Sequence, residues 1–178
     1  NIEAEKFFKI GQEYYEKKDY LKALNYFFKI LKLYPENLSV LRKVALCYFY
    51  NKNFGQSELI LKKIVKIKKN EPNAILMLIN VLEKQDKVDE IIKYINIGTK
   101  EKLLDESWLI REKTILPMIF KDKDDVKFSR NQLNQNLNEI LSSEKKISLN
   151  IDNQLFTPPQ FQLSYDEYDN LEINKKCV

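Results

Sequence analysis

The chain has 178 residues, of which 44% are hydrophobic and 31% charged, and its formal net charge is +4. This length accommodates one or two domains, and only 3 glycines and 5 prolines are too few breakers for many short strands and turns. Acidic residues accompany most basic ones, so no nucleic-acid partner is predicted. No apolar run approaches the ~20 residues of a membrane span, so no membrane partner is predicted either.

Cysteine usage points to a reducing compartment. Cys47 lies in a predicted helix and Cys177 beside the chain end, so a disulfide framework is not expected. No signal peptide is visible, which favours a cytoplasmic protein. The chain begins with Asn1 rather than Met, which we interpret as a fragment or a processed product.

Residues 4–37 show the clearest pattern, a predicted helix–turn–helix unit. Its first helix has one apolar face, with residues at i, i+3, i+4 and i+7: Phe7, Ile10, Gly11 and Tyr14. After a polar turn, the second helix continues the seam with Ala23, Phe27, Ile30 and Leu31. Gly11 and Ala23 are the small positions that let the two helices approach, and Pro35 follows the second helix.

The pattern returns in residues 38–71 and, in degenerate form, in residues 72–100. The second unit repeats the seam at Leu41, Val44, Ala45, Tyr48, Ser57, Leu61, Ile64 and Val65. The third begins at Pro72 and has its first-helix seam at Ile75, Leu78, Ile79 and Leu82, where large residues replace the small ones. A helical pair recurring at roughly 34 residues resembles the tetratricopeptide repeat. The resemblance implies an all-α superhelix over residues 4–98, of a kind that mostly binds proteins.

Residues 101–141 are predicted to form a helical junction. One helix is expected from Leu103 to Ile115 with Trp108 in the core, and another from Asp122 to Leu141. The second has apolar or mixed positions at helical spacing: Val126, Arg130, Leu133, Leu137, Ile140 and Leu141. Its first-turn acids, Asp124 and Asp125, complement the helix dipole, and we do not read them as a metal site. Residues 142–178 are interpreted as a linker and the start of a truncated domain, with a short strand at 161–165 and a helix opening near Asp169.

The order of features over residues 108–176 carries a second resemblance. Phe120 follows Leu116-Pro117, Arg130 lies in the next helix, and Phe161, Leu163 and Tyr165 form the predicted strand. This order resembles the junction between repeats and catalytic domain in SPINDLY-like bacterial O-linked N-acetylglucosamine transferases. The resemblance implies that nucleotide-sugar lobes would follow Val178. It also implies that this chain holds no catalytic residue and no cofactor of its own.

The concave face of the predicted array is the candidate ligand site, because the first helix of each pair lines it. By register, its residues are Phe8, Lys9, Gln12, Tyr15, Arg42, Lys43, Leu46, Phe49, Tyr50, Met77 and Asn80. An Asn ladder like that of the related transferases is absent, since Lys9, Lys43 and Met77 hold those places. A carboxylate clamp of the chaperone-binding type is also not indicated, since Phe8 stands where its first Lys would be. The alternative is that these side chains pack against a repeat, a partner subunit or the tail.

Three functional hypotheses follow from these patterns. The leading one is an acceptor-recruiting region of a protein O-glycosyltransferase whose catalytic domain lies outside the chain. The others are a stand-alone adaptor that assembles other proteins and a structural subunit of a homo-oligomer or larger assembly. All three predict a protein or peptide ligand. The densest basic run, Lys62 to Lys69, is interpreted as a solvated helix face, with an anion-binding patch as its alternative.

Overall fold

The computed structural model describes residues 2–143 and 171–176, and within these ranges the regular structure is entirely helical. The helices are α1 (Ile2–Glu16), α2 (Tyr20–Leu33), α3 (Leu38–Tyr50), α4 (Phe54–Ile67), α5 (Pro72–Glu83), α6 (Val88–Lys100), α7 (Ser107–Thr114), α8 (Lys123–Ser142) and α9 (Leu171–Lys176). The chain divides into a first unit, Asn1–Gln85, and a second unit, Asp86–Val178. The boundary falls in the turn of the predicted third repeat.

The turns inside the helical pairs repeat with the period of the sequence. Lys18, Lys52 and Asp86 occupy equivalent places and have φ values of 62°, 58° and 55°. Such left-handed residues are uncommon outside glycine, so their recurrence marks one turn type used three times. The next residue caps the following helix in the first two cases: Asp19 accepts from Lys22 N at 3.1 Å, and Asn53 accepts from Gln56 N at 3.3 Å.

The predicted seam forms the core of the first unit. In it, α2 packs against α1 and α3, and α4 packs against α3 and α5. Gly11 is needed for close approach, because a Cβ there would lie 2.8 Å from Phe27 Cε1. At the equivalent crossing of the next pair, the Ser57 hydroxyl donates to the Ala45 carbonyl at 2.9 Å. The predicted small positions are therefore confirmed as helix contacts.

The first helix of the third repeat also follows the prediction. Pro72 is in the first turn of α5, where its missing N–H has no helical partner to lose. The four predicted seam residues are all fully buried: Ile75, Leu78, Ile79 and Leu82. This helix completes the first unit by packing on α4.

In the second unit, the predicted helix from Leu103 is wrong at its start. The chain after α6 turns back at Lys102, which has a φ of 56°, and Leu103 N donates to Gly98 O at 2.8 Å. These bonds close the end of α6, so α7 begins only at Ser107, whose N–H donates to Asp105 Oδ1 at 2.9 Å. Trp108 is buried as predicted.

The long helix α8 agrees with its predicted bounds to within a residue. Asp122 caps it by accepting from Asp124 N at 2.9 Å and Asp125 N at 2.8 Å. Leu133 and Leu137 are buried in a cluster with Leu116 and Ile173. Leu141, the last of the helically spaced positions, lies in the last turn beyond the cluster and is 61% exposed.

The C-terminal predictions are covered only in part. Helix α9 coincides with the predicted helix opening near Asp169, and its Ile173 packs against α8. The predicted linker beyond Ser143 and the strand at 161–165 lie outside the described residues. Across residues 2–143 and 171–176, no helix is both long and apolar enough to cross a membrane.

Candidate ligand-binding face of the first unit

The residues predicted to bind a ligand lie on α1, α3 and α5 of the first unit, and we call their surface the inner face. Its members are Phe8, Lys9, Gln12, Tyr15, Arg42, Lys43, Leu46, Phe49, Tyr50, Met77 and Asn80. Lys9 and Tyr50 are exposed and the others are half-buried. None is sealed in the core, so all present some surface, but several are engaged by neighbouring side chains.

One end of the inner face is an aromatic cluster. The Tyr15 ring lies 6.2 Å from that of Tyr50, and the Tyr20 and Tyr50 rings stack at 5.3 Å between centroids. Phe49 meets Tyr50 and Phe54 edge-on, each at 5.6 Å. The sequence interpretation missed Tyr20 and Phe54. The signal was present, since both are aromatic and both follow the helix cap in their repeat.

The cluster holds a cation over one of its rings. Lys43 Nζ lies 4.7 Å from the Tyr15 centroid, a favourable cation–π distance. Burial and the hydrogen-bonded neighbour Tyr50 raise the pKa of Tyr15 to about 12, so its phenol is neutral at physiological pH. The ammonium group of Lys43 therefore lies against the neutral ring of Tyr15.

The other end of the inner face is a pocket of about 440 Å³. Its walls come from α1, the end of α2, the turn between α2 and α3, and the start of α3: Ala4, Glu5, Phe8, Lys9, Ile30, Tyr34, Asn37, Ser39 and Val40. Phe8 also packs against the core residue Phe27, with 6.0 Å between ring centroids. Phe8 is thus both a core contact and a pocket wall, with Lys9 as a neighbouring wall.

Arg42 contributes less positive charge than its place on the face predicts. Its guanidinium donates to Glu71 at 2.8 Å, and Lys68 pairs with the same carboxylate at 3.0 Å. Lys68 first, and then Arg42, hold the pKa of Glu71 below its usual range. Glu71 therefore offsets part of the positive charge of Arg42, and Lys9 and Lys43 are the main inner-face cations that can attract an acidic ligand.

Gln12 has one side-chain atom, the amide oxygen, without a hydrogen-bond partner among the described residues. Its amide Nε2 donates to Glu16 Oε1 at 2.9 Å. Its carbonyl Oε1 is buried, yet no donor among the described residues reaches it. A buried acceptor left without a hydrogen bond costs free energy.

Reactive chemistry is not indicated at this face. Burial raises the pKa of the Cys47 thiol to about 12, so the nucleophilic thiolate is disfavoured. In the part of the chain that the structure describes, no group of three or more His, Cys, Asp or Glu side chains could hold a metal ion.

Comparison with known proteins identifies the fold. No protein-family model matches the sequence, and no curated protein is significantly similar to it. The chain is structurally similar to MamA protein (TM-score 0.58, 16% identity, 78% of this chain and 72% of that one). It is also similar to the TPR2B domain of yeast Sti1 in its pHsp70 complex (TM-score 0.52, 15% identity, 76% of this chain and 99% of that one). A third similar structure is the TPR domain of Sgt2 from Aspergillus fumigatus (TM-score 0.50, 14% identity, 86% of this chain and 91% of that one). The described chain therefore has the all-α fold of tetratricopeptide-repeat proteins.

Proposed function

We propose that the inner face binds an extended segment of another protein. The observation that carries the proposal is one partly exposed stripe on three successive first helices, running between an aromatic cluster and a pocket of about 440 Å³. Stacked repeats expose such surfaces because each repeat buries only the sides that touch its neighbours. The structurally similar TPR2B domain of yeast Sti1 is seen in a complex with pHsp70. That complex supports the use of this fold to bind a segment of another protein.

The side chains define what the segment should contain. Lys9 and Lys43 would attract carboxylates, and the pocket beside Phe8 would take one apolar side chain. We therefore expect a ligand that combines acidic residues with an apolar anchor.

Selection from a displayed random-peptide library tests this proposal. A selected peptide, labelled with a fluorophore, should bind the full chain and lose about tenfold in affinity with Lys9→Glu/Lys43→Glu. The charge-matched control Lys100→Glu/Lys127→Glu, with both positions exposed in the second unit, should bind like wild type. Selected peptides that bind the inner-face variant as tightly as wild type would contradict the proposal. The same result, peptide affinity unchanged by Lys9→Glu/Lys43→Glu, is expected if the inner face forms a permanent apolar interface.

A finer version of the proposal makes this module the acceptor-recruiting region of a protein O-glycosyltransferase. It rests on the resemblance to SPINDLY-like junctions, of which Phe120 and Arg130 lie in the described chain. The strand residues Phe161, Leu163 and Tyr165 lie outside it, and the comparisons give this version no support. Sequencing the gene downstream tests it: a reading frame without a two-lobed nucleotide-sugar domain leaves the adaptor function in its place.

A further inference from the structure

The second helices of the first two repeats carry a basic surface, which we call the outer face. It consists of Lys22, Lys29 and Lys32 on α2 and Lys62, Lys63 and Lys66 on α4. Residues 20–33 contain no Asp or Glu, and Glu58 is the only acid in residues 54–67. Glu58 is only 6% exposed and pairs with Lys62 at 2.6 Å, so it does not offset the other lysines of α4.

Four of these lysines form two pairs that recur with the repeat. Lys29 is equivalent to Lys63 and Lys32 to Lys66, and all four are exposed. No carboxylate of residues 2–143 or 171–176 pairs with any of the four. Lys29 Nζ lies 4.8 Å from the Tyr26 centroid, and Lys63 Nζ donates to Pro35 O at 3.1 Å. These contacts position the ammonium groups and leave their charge available to an anion.

Exposed apolar side chains lie between the ammonium groups. On α4, Leu59 precedes Lys63 by one turn and Ile67 follows it by one turn, and they are 59% and 36% exposed. On α2, Leu33 follows Lys29 by one turn and is 47% exposed. Because residues four apart are neighbours on a helix surface, charge and apolar area alternate along both helices.

An open depression of about 480 Å³ lies on the α2 part of this surface. Tyr14, Tyr26 and Phe28 form its apolar lining, and Lys29 and Lys32 border it. The Tyr14 and Tyr26 rings stack with 5.7 Å between centroids, which gives the depression a firm wall. It has room for one large apolar side chain beside the ammonium groups.

We propose that the outer face is a second binding surface, whose ligand is an acidic protein segment with aromatic or aliphatic side chains between its carboxylates. The charge complementarity is direct, since the four recurring lysines pair with no carboxylate of the described residues. The depression beside Lys29 and the exposed Leu59 favour a ligand with discrete side chains over a bilayer surface, which presents headgroup charges without them. This inference stands independently of the proposed function, because no outer-face lysine belongs to the inner face.

The test uses the full chain and a fluorescein-labelled twelve-residue peptide that repeats Glu-Glu-Phe. Anisotropy should show binding that weakens as salt is added, because the contacts are between exposed charges. Lys29→Glu/Lys63→Glu should weaken binding about tenfold, equivalent to about 1.4 kcal/mol. Lys29→Arg/Lys63→Arg should retain it. Peptides with Gln for Glu or Ala for Phe should each bind more weakly than the parent.

Two controls distinguish binding at the outer face from a general charge effect and from binding at the inner face. Lys100→Glu/Lys127→Glu changes the net charge equally, and a loss as large as that of the outer-face variant would overturn the proposal. Lys9→Glu/Lys43→Glu should reduce binding of this peptide less than Lys29→Glu/Lys63→Glu does, and a loss confined to Lys9→Glu/Lys43→Glu would place the acidic segment on the inner face instead. Circular dichroism should confirm that every variant keeps its helical content.

Vesicles of phosphatidylserine and phosphatidylcholine test whether the outer face binds a membrane surface instead. We expect them to leave the chain in solution at a salt concentration where the acidic peptide still binds. Co-flotation with vesicles that depends on Lys29 and Lys63, without peptide binding, would replace the proposal with a membrane-surface function. Dimerisation that the same double variant abolishes would make a second copy the occupant, and would overturn it too.

Discussion

The described residues of both units form helices, but different kinds of contact position these helices. In the first unit the same features recur: capping by Asp19 and Asn53, a left-handed residue before each cap, and small side chains where helices cross. In the second unit, contacts that occur once do this work, such as the Asp86 carboxylate that accepts from the Met118 and Ile119 N–H groups. Repeated features can be read from a sequence, whereas single contacts between distant residues cannot.

The largest expected effect comes from breaking a repeated contact in the first unit. Gly11→Val would place side-chain atoms against Phe27, since even a Cβ lies 2.8 Å from its ring. We expect a loss of about 1–3 kcal/mol in the free energy of unfolding, measured by urea denaturation. The matched control is Gly55→Ala in α4, where a Cβ meets nothing within 4 Å. It should be neutral or stabilise by up to about 1 kcal/mol, and equal losses for the two variants would contradict the packing account.

A single contact of the second unit should give an intermediate effect. Asp86→Ala removes the acceptor of Met118 N at 2.8 Å and Ile119 N at 3.2 Å, and it places Ala at a φ of 55°. We expect a loss of about 1–2 kcal/mol, with faster hydrogen exchange at Met118 and Ile119. Asp86→Asn keeps an acceptor and tolerates the left-handed conformation, so it should retain most of the protection. Unchanged exchange in the Ala variant would show that this carboxylate does not hold the loop.

Prediction from the sequence identified local features and missed pairings between distant residues, and particular residues show why. Helical periodicity correctly predicted the buried seam of α5, because that seam is a local pattern. The pairing of Arg42 with Glu71 was not predicted, since Glu71 lies 29 positions away and only the fold brings them together. The late start of α7 was missed because Lys102 takes a left-handed conformation without being a glycine.

The smallest expected effect concerns Glu71, whose ion pair with Arg42 links α3 to the start of α5. Because the pKa of Glu71 is lowered in the folded chain, its carboxylate stabilises the fold above the unfolded-state pKa. That contribution is lost as the pH falls through the folded-state pKa. Glu71→Gln should therefore lower the melting temperature slightly at neutral pH and have no effect in acid. A difference that stays constant with pH would show that the pairs with Lys68 and Arg42 do not contribute.

The most direct test of the central claim, that the inner face of the first unit is a protein-binding surface, is amide chemical-shift mapping of the full chain with a library-selected peptide. We predict that the perturbed amides cluster on α1, α3 and α5, around Gln12, Lys43 and Met77. Perturbations confined to the second unit, with these three helices unaffected, would contradict the claim.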